Sequence, residues 1–227
     1  MRLILLPGMD GTGLLFNPLQ KELGDVPHTV LSYPLSEKLD YDDATEHIRK
    51  RLPVDEGFVL LAESYSGRVA YNLARQDIPN IKGVIFVVSF LSSPRPVLLS
   101  VAKLLPLSLL IRLPFPNWLF RKFVVGPDGT DDAIAFTRQV LKKVKPAVLA
   151  KRLRDIGNQT LPAETIAVDS YYIQAMQDRL VPSRCHQEMQ GLIPNIDKTE
   201  LAGPHLLLET NPVESADAIK KILANIS

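Results

Sequence analysis

The chain has one cysteine, Cys185, in 227 residues. An intramolecular disulfide is excluded, a thiolate zinc site is disfavoured without any C-x-x-C pair, and a lone thiol suits a reducing compartment. Charge of one sign is also lacking. Lys and Arg number 26 against 25 Asp and Glu, a balance of +1, which argues against nucleic acid or another polyanion as partner. Long uninterrupted apolar runs are missing too. The opening M-R-L-I-L-L is closed at once by Pro7-Gly8, too soon for a signal-peptide core. The greasiest region, 97–120, is broken by Lys103, Arg112, Pro106, Pro114 and Pro116, so it cannot cross a bilayer as one helix. No repeat, low-complexity tract or interdomain linker is visible. These absences predict a cytoplasmic chain with no integral membrane segment, forming one domain over 1–227.

What is present is alternation. Short apolar runs of strand length at Leu3–Leu6, Thr29–Tyr33, Phe58–Ala62 and Val84–Phe90 are separated by segments with helical spacing, at 14–23, 40–52 and from Arg68 to about Gln76. Val84–Phe90, V-I-F-V-V-S-F, is apolar throughout, as in a strand covered on both faces. The pattern predicts an α/β fold with a mostly parallel sheet. From Leu91 to Asp169 it breaks into Pro-punctuated helices, at 97–113, around Trp118, at 131–144 and at 147–156. A stretch of that length is too long for a loop and predicts a helical cap over 91–169, inserted after the fourth strand. Strands resume at Tyr171–Met176 and Lys198–Leu201, with helices at 183–192 and 212–224.

The chemistry centres on F-V-L-L-A-E-S-Y-S-G-R-V-A-Y, from Phe58 to Tyr71. Strand, tight turn through Ser64 and helix is the layout of a nucleophile elbow, in which the turn lifts a hydroxyl above the sheet edge. A-x-S-x-S-G replaces the usual G-x-S-x-G, and the competing reading of Ser64 is a helix N-cap. Among four histidines, His28 and His47 read as edge or surface residues and His186 as a solvated helix position. His205 falls in a loop that Gly203 and Pro204 shape after the last strand; its plainer reading is a turn residue bonded to backbone. Asp178 follows a strand, at the carboxyl edge where catalytic groups of parallel sheets collect, whereas Asp169 precedes that strand and belongs to the opposite edge. A turn-stabilising carboxylate is the other reading of Asp178. Ser, Asp and His in that order, each after a separate strand, favour a triad. L-L-P-G-M-D-G-T-G lacks both the G-K-[ST] ending of a P-loop and the G-x-G-x-x-G register of a dinucleotide turn. It reads instead as an oxyanion loop in which Gly8 makes the turn and the Met9 amide joins that of Tyr65 as a donor.

On these motifs the chain resembles the α/β-hydrolase superfamily over nearly its full length. Within it, the chain is similar to small bacterial serine carboxylesterases of the pimeloyl-carrier-protein methyl esterase kind. L-L-P-G-M-D-G-T-G also looks like the start of the hydrolase domain in plant phytyl ester synthases. The resemblance implies Ser64 as nucleophile, Asp178 as acid, His205 as base, and the Met9 and Tyr65 amides as oxyanion donors. Pro7-Gly8 stands where those families often have His-Gly. The family's two leading antiparallel strands have no counterpart, which implies a minimal sheet of about six strands flanked by helices.

The expected activity is cleavage of carboxylic esters or thioesters through an acyl-enzyme, with no metal or organic cofactor. Leu104, Phe115 and Trp118 would line an apolar acyl pocket under the cap; alternatively they form the cap's own core. Lys103, Arg112, Arg121 and Lys122 give the cap a basic fringe that would meet a carrier protein or anionic headgroups, or simply face solvent. The partner is thus a small ester or thioester, free or carrier-bound. The alternatives are an acyltransferase on the same triad and a non-catalytic small-molecule binder of the same fold. A dehalogenase is excluded, since the elbow carries Ser where an Asp would be needed.

Overall fold

The computed structural model describes residues 1–103, 105, 106, 109 and 116–226, with 101–103 described by backbone alone. Six parallel strands form one sheet in the order β2-β1-β3-β4-β5-β6. They are β1 (Arg2–Leu6), β2 (His28–Val30), β3 (Phe58–Glu63), β4 (Ile81–Val87), β5 (Ser170–Ala175) and β6 (Asp197–Leu201). Between β1 and β2 a single 3-10 turn, Leu14–Phe16, leads into α1 (Asn17–Leu23); α2 (Tyr41–Arg49) and α3 (Ser66–Ala74) follow. The chain closes with α8 (Arg184–Gln190), α9 (Leu207–Thr210) and α10 (Pro212–Asn225).

The continuous apolar strands are explained by covering on both faces. Ile4, Leu6, Leu60, Ala62, Val84 and Phe86 pack on one side, with residues of α2, α3 and α8. Their alternating neighbours Leu3, Leu5, Val59, Leu61, Ile85 and Val87 pack on the other, with α1 and α10. Helix α2 starts where Asp40 accepts from the Asp42 and Asp43 amides while the Asp43 carboxylate accepts from the Asp40 amide, a reciprocal cap. Asp40 is thus the cap of that helix rather than its first residue.

Helices α4 (Pro96–Lys103), α5 (Asn117–Phe120), α6 (Asp131–Lys142) and α7 (Pro146–Asn158) lie between β4 and β5, with a π-helical turn at Arg121–Val125. The helix expected over 97–113 begins as α4; the rest of that stretch falls largely outside the described residues. The insert is seated on the sheet's carboxyl edge through two small cores. One joins Phe120, Val125, Ile134 and Val140 to Leu15 and Leu206. The other sets Val144, Val148 and Leu149 against Met9.

Helix α3 approaches the end of β4 closely at Gly67. A Cβ there would stand 2.8 Å from Ser89 Cβ and 3.4 Å from the Phe90 amide nitrogen. Gly67→Ala should cost about 1–3 kcal/mol through overpacking, measured as a lower urea midpoint at unchanged m-value.

Candidate active site

Ser64 joins β3 to α3 in a left-handed backbone conformation, φ 49°. A side chain is strained there, and such strain persists only where surroundings enforce it. The enforcing bonds are Ser64 N–H to the Val87 carbonyl, 2.9 Å, and Gly67 N–H to the Ser64 carbonyl, 3.1 Å. The turn leaves the residue 8% exposed. Its Oγ lies 3.1 Å from His205 Nε2, and His205 Nδ1 lies 2.8 Å from Asp178 Oδ2. The second Asp178 oxygen accepts from the Leu180 and Val181 amides, at 2.7 and 3.0 Å, so the carboxylate is fixed while it faces the ring. The turn-stabilising and ring-facing readings of Asp178 are both realised, one per oxygen. Serine and histidine, 141 positions apart, and the aspartate 27 positions before the histidine form one hydrogen-bonded line at the carboxyl ends of β3, β6 and β5.

Burial works against a charged His205, but the Asp178 charge, its hydrogen bond and the Glu63 charge outweigh that. The imidazolium is therefore favoured above its ordinary value.

Two peptide units near Ser64 are held in the same way. The Gly8 carbonyl accepts from Gly11 N–H at 3.0 Å, just as the Ser64 carbonyl accepts from Gly67. In a trans peptide the N–H points opposite to the carbonyl. Anchoring those carbonyls therefore turns the Met9 and Tyr65 N–H groups outward, and neither has a partner among the described residues. The flanking carbonyls are tied as well. Pro7 O accepts from Ser66 Oγ, itself 2.5 Å from Tyr33 Oη, and Met9 O accepts from Arg152 Nη1 at 2.8 Å. The turn is made at Gly11, φ 72°, rather than at Gly8, which has room for a Cβ at ordinary contact distance.

Several residues of the site carried no motif. Arg152, from α7 of the insert, is 1% exposed, donates also to Pro34 O, and lies 5.7 and 5.9 Å from the Tyr33 and Tyr65 ring centroids. Asp10 is buried; Thr12 donates to one oxygen through its amide and hydroxyl, while the other has no hydrogen-bond partner among the described residues. Burial, opposed by Thr12 and Arg152, raises its pKa. Glu63, directly before Ser64, is 2% exposed. Burial and then the Asp10 charge push it up to about 7, with His205 and Glu209 pulling the other way. Glu209, one turn past His205, is raised well above the carboxylate range by burial and then by the Glu63 charge. The only advance signal was Glu63 itself, a lone charge ending an apolar strand.

His186 departs from expectation. It is buried and packs on Tyr172, centroids 4.9 Å apart, because α8 turns that face toward the sheet. Cys185 beside it is buried, which pushes the thiol up to about 12 and keeps it un-ionised at neutral pH. Trp118 is 62% exposed; Leu104 and Phe115 lie outside the described residues. No group of residues suited to a metal ion, and no helix long and apolar enough to span a membrane, occurs among the described residues.

No family model and no curated protein matches the chain in sequence. Solved structures match it in three dimensions over nearly its whole length, and they give it the α/β-hydrolase fold. MenH from S. aureus is 18% identical over 99% of this chain and 94% of its own, with TM-score 0.80. A hydrolase from Oleispira antarctica is 13% identical over 99% and 91%, TM-score 0.81. The RedJ thioesterase of the prodiginine pathway in Streptomyces coelicolor is 19% identical over 97% and 84%, TM-score 0.69.

The folded state favours neutral Glu63, which stays protonated where the unfolded chain, at the ordinary 4.5, has ionised. Its contribution to stability is therefore full below pH 4.5 and is lost as pH rises to about 7. Glu63→Gln should match the parent near pH 4 and exceed it at pH 8 by up to roughly 3 kcal/mol, read from urea unfolding at each pH.

Proposed function

We propose that the chain is a serine hydrolase of carboxylic esters, thioesters included. The observation that carries the reading is the unbroken line from Ser64 Oγ through His205 to Asp178, with Ser64 at φ 49°. His205 Nε2 takes the Ser64 proton as Oγ attacks the acyl carbon. Nδ1–H donates to Asp178, which stabilises the imidazolium without accepting its proton. The outward Met9 and Tyr65 amides receive the tetrahedral oxyanion. Collapse expels the alcohol or thiol, to which His205 returns the proton. Water then releases the acid by the same steps.

Beside the line lies an apolar groove of about 1330 Å³, whose walls include Pro96, Leu98, Leu119, Phe123, Val124 and Leu180. Leu180 is two residues past Asp178, and Val124 O accepts from the amide of Leu206, next to His205, at 3.1 Å. This groove supports an apolar acyl group, each buried methylene contributing up to about 0.8 kcal/mol. Thioesterase, esterase and hydrolase names among structures of this fold support acyl chemistry. The likeness to carrier-protein methyl esterases belongs to this proposal, as does the cap role of the insert.

Ser64→Ala should abolish turnover of a chromogenic butyrate ester and fluorophosphonate labelling while leaving the circular dichroism spectrum unchanged; retained labelling would move the nucleophile elsewhere. Asp178→Asn should lower kcat by roughly 10⁴, and a loss of only a few-fold would assign the acid to another carboxylate.

A further inference from the structure

Arg152 carries a charge where a charge is costly. Val148 and Leu149 of α7 pack on Met9, and one turn further along the same face Arg152 reaches into the interior. A guanidinium stays protonated, so burial removes its water without removing its charge. Among the described residues no carboxylate forms an ion pair with it. Asp10 and Asp155 act on it from beyond that reach, but burial drives Asp10 toward its neutral form and Asp155 is taken by Lys151 at 2.6 Å. Its hydrogen bonds go to backbone instead, Nη1 to Met9 O at 2.8 Å and Nη2 to Pro34 O at 3.1 Å, while Nε has no hydrogen-bond partner among the described residues. An apolar side chain of similar size commonly serves a core as well or better than a buried ion. As packing alone, this arginine is out of place.

Its neighbours show what the charge is for. Met9 and Tyr65 are the two residues whose outward amides would receive an oxyanion, and the guanidinium meets both. It bonds the Met9 carbonyl and lies 5.9 Å from the Tyr65 ring centroid. Tyr33, 5.7 Å away, joins the same assembly: its amide donates to Gly11 O at 2.9 Å, and its hydroxyl pairs with Ser66 Oγ, which donates to Pro7 O. The loop after β1 leaves room for this approach, since a Cβ on Gly11 would stand 2.2 Å from Arg152 Nη1.

We propose that Arg152 is the positioning residue of the oxyanion pocket: it locks the peptide that follows Met9 and sets an uncancelled positive charge behind the two amides where negative charge develops. This role exists only if the chain is a hydrolase of the kind proposed above. The oxyanion is transient, so dipoles and charge fixed in advance around it act on the transition state and leave ground-state binding nearly untouched. A side chain that merely fastened the insert would act on stability, or on both kinds of binding alike.

The full-length parent, Arg152→Met and Arg152→Lys are compared on the chromogenic butyrate ester and against two ketones bearing the same acyl chain. One is a trifluoromethyl ketone, which Ser64 captures as a tetrahedral adduct; the other is the methyl ketone, which it does not capture. Arg152→Met should lower kcat by roughly 10²-fold with KM moved by no more than about threefold. It should weaken the trifluoromethyl ketone by a similar factor and leave the methyl ketone unaffected. Arg152→Lys, which keeps the charge and loses the fork, should fall between the two. Arginine does not titrate in this range, so the pH profile of kcat should keep its shape in both variants. If Arg152→Met does not fold, the lysine variant carries the test through the split between the two ketones. Equal losses for both ketones, a raised KM at unchanged kcat, or full kcat in either variant would overturn the proposal. A parent that turns over no ester and leaves Ser64 unlabelled by the fluorophosphonate would bring down the hydrolase reading, and this role with it. An active, labelled parent beside unaffected variants would bring down this role alone.

Discussion

The site hangs on a backbone that a serine does not favour. Ser64 sits at φ 49° with its side chain attached, a conformation costing on the order of 1–3 kcal/mol. It is tolerated because strand pairing holds one end of the turn and helix α3, brought close by the missing side chain of Gly67, holds the other. What the strain secures is direction. The hydroxyl is lifted off the sheet toward His205, and the following peptide turns its N–H outward. The loop after β1 reaches an equivalent result with a glycine at its positive-φ position, Gly11, and with three consecutive carbonyls, Pro7, Gly8 and Met9, each tied to a different donor.

Much of this could be read from residues alone, and the reasons are physical. Strands covered on both faces are apolar at every position, so β3 and β4 stand out without context. A parallel sheet gathers the ends of its strands, so Ser64, Asp178 and His205 could be assigned to one edge from their order. The sheet, its six strands and the insert after the fourth were all legible. What escaped depends on contacts between distant segments. Arg152 belongs to a helix with unremarkable spacing, and only the fold sets its guanidinium between Tyr33 and Tyr65. The Glu63 and Glu209 carboxyls meet across 146 residues of chain, numbered 63 and 209, and no local pattern announces such a pair. His186 was misjudged because a seven-residue helix is too short for its buried face to be read from period alone.

Charge around the site follows one rule. Asp10, Glu63, Arg152, His205 and Glu209, gathered around Ser64, are all buried or largely so, and burial is the largest influence on each. Asp10, Glu63 and Glu209 are driven toward their neutral forms, while His205 keeps its cationic preference against burial because Asp178 is held beside it, with the Glu63 charge adding to the effect. Solvent screening is weak in such an environment, so small changes in the position of one charge alter the others.

The insert has a grip on two of these parts and not on the third. Arg152 holds the Met9 loop, and the Leu206 amide bonds to Val124 beside His205, whereas Ser64 is fastened to β4. A shift of those helices would act on the Met9 peptide and on His205 together, while Ser64 keeps its bond to the strand. The three groups that meet at the candidate site are thereby anchored on two bodies, sheet and insert, and whatever fixes one against the other also sets the span from Ser64 Oγ to His205 Nε2.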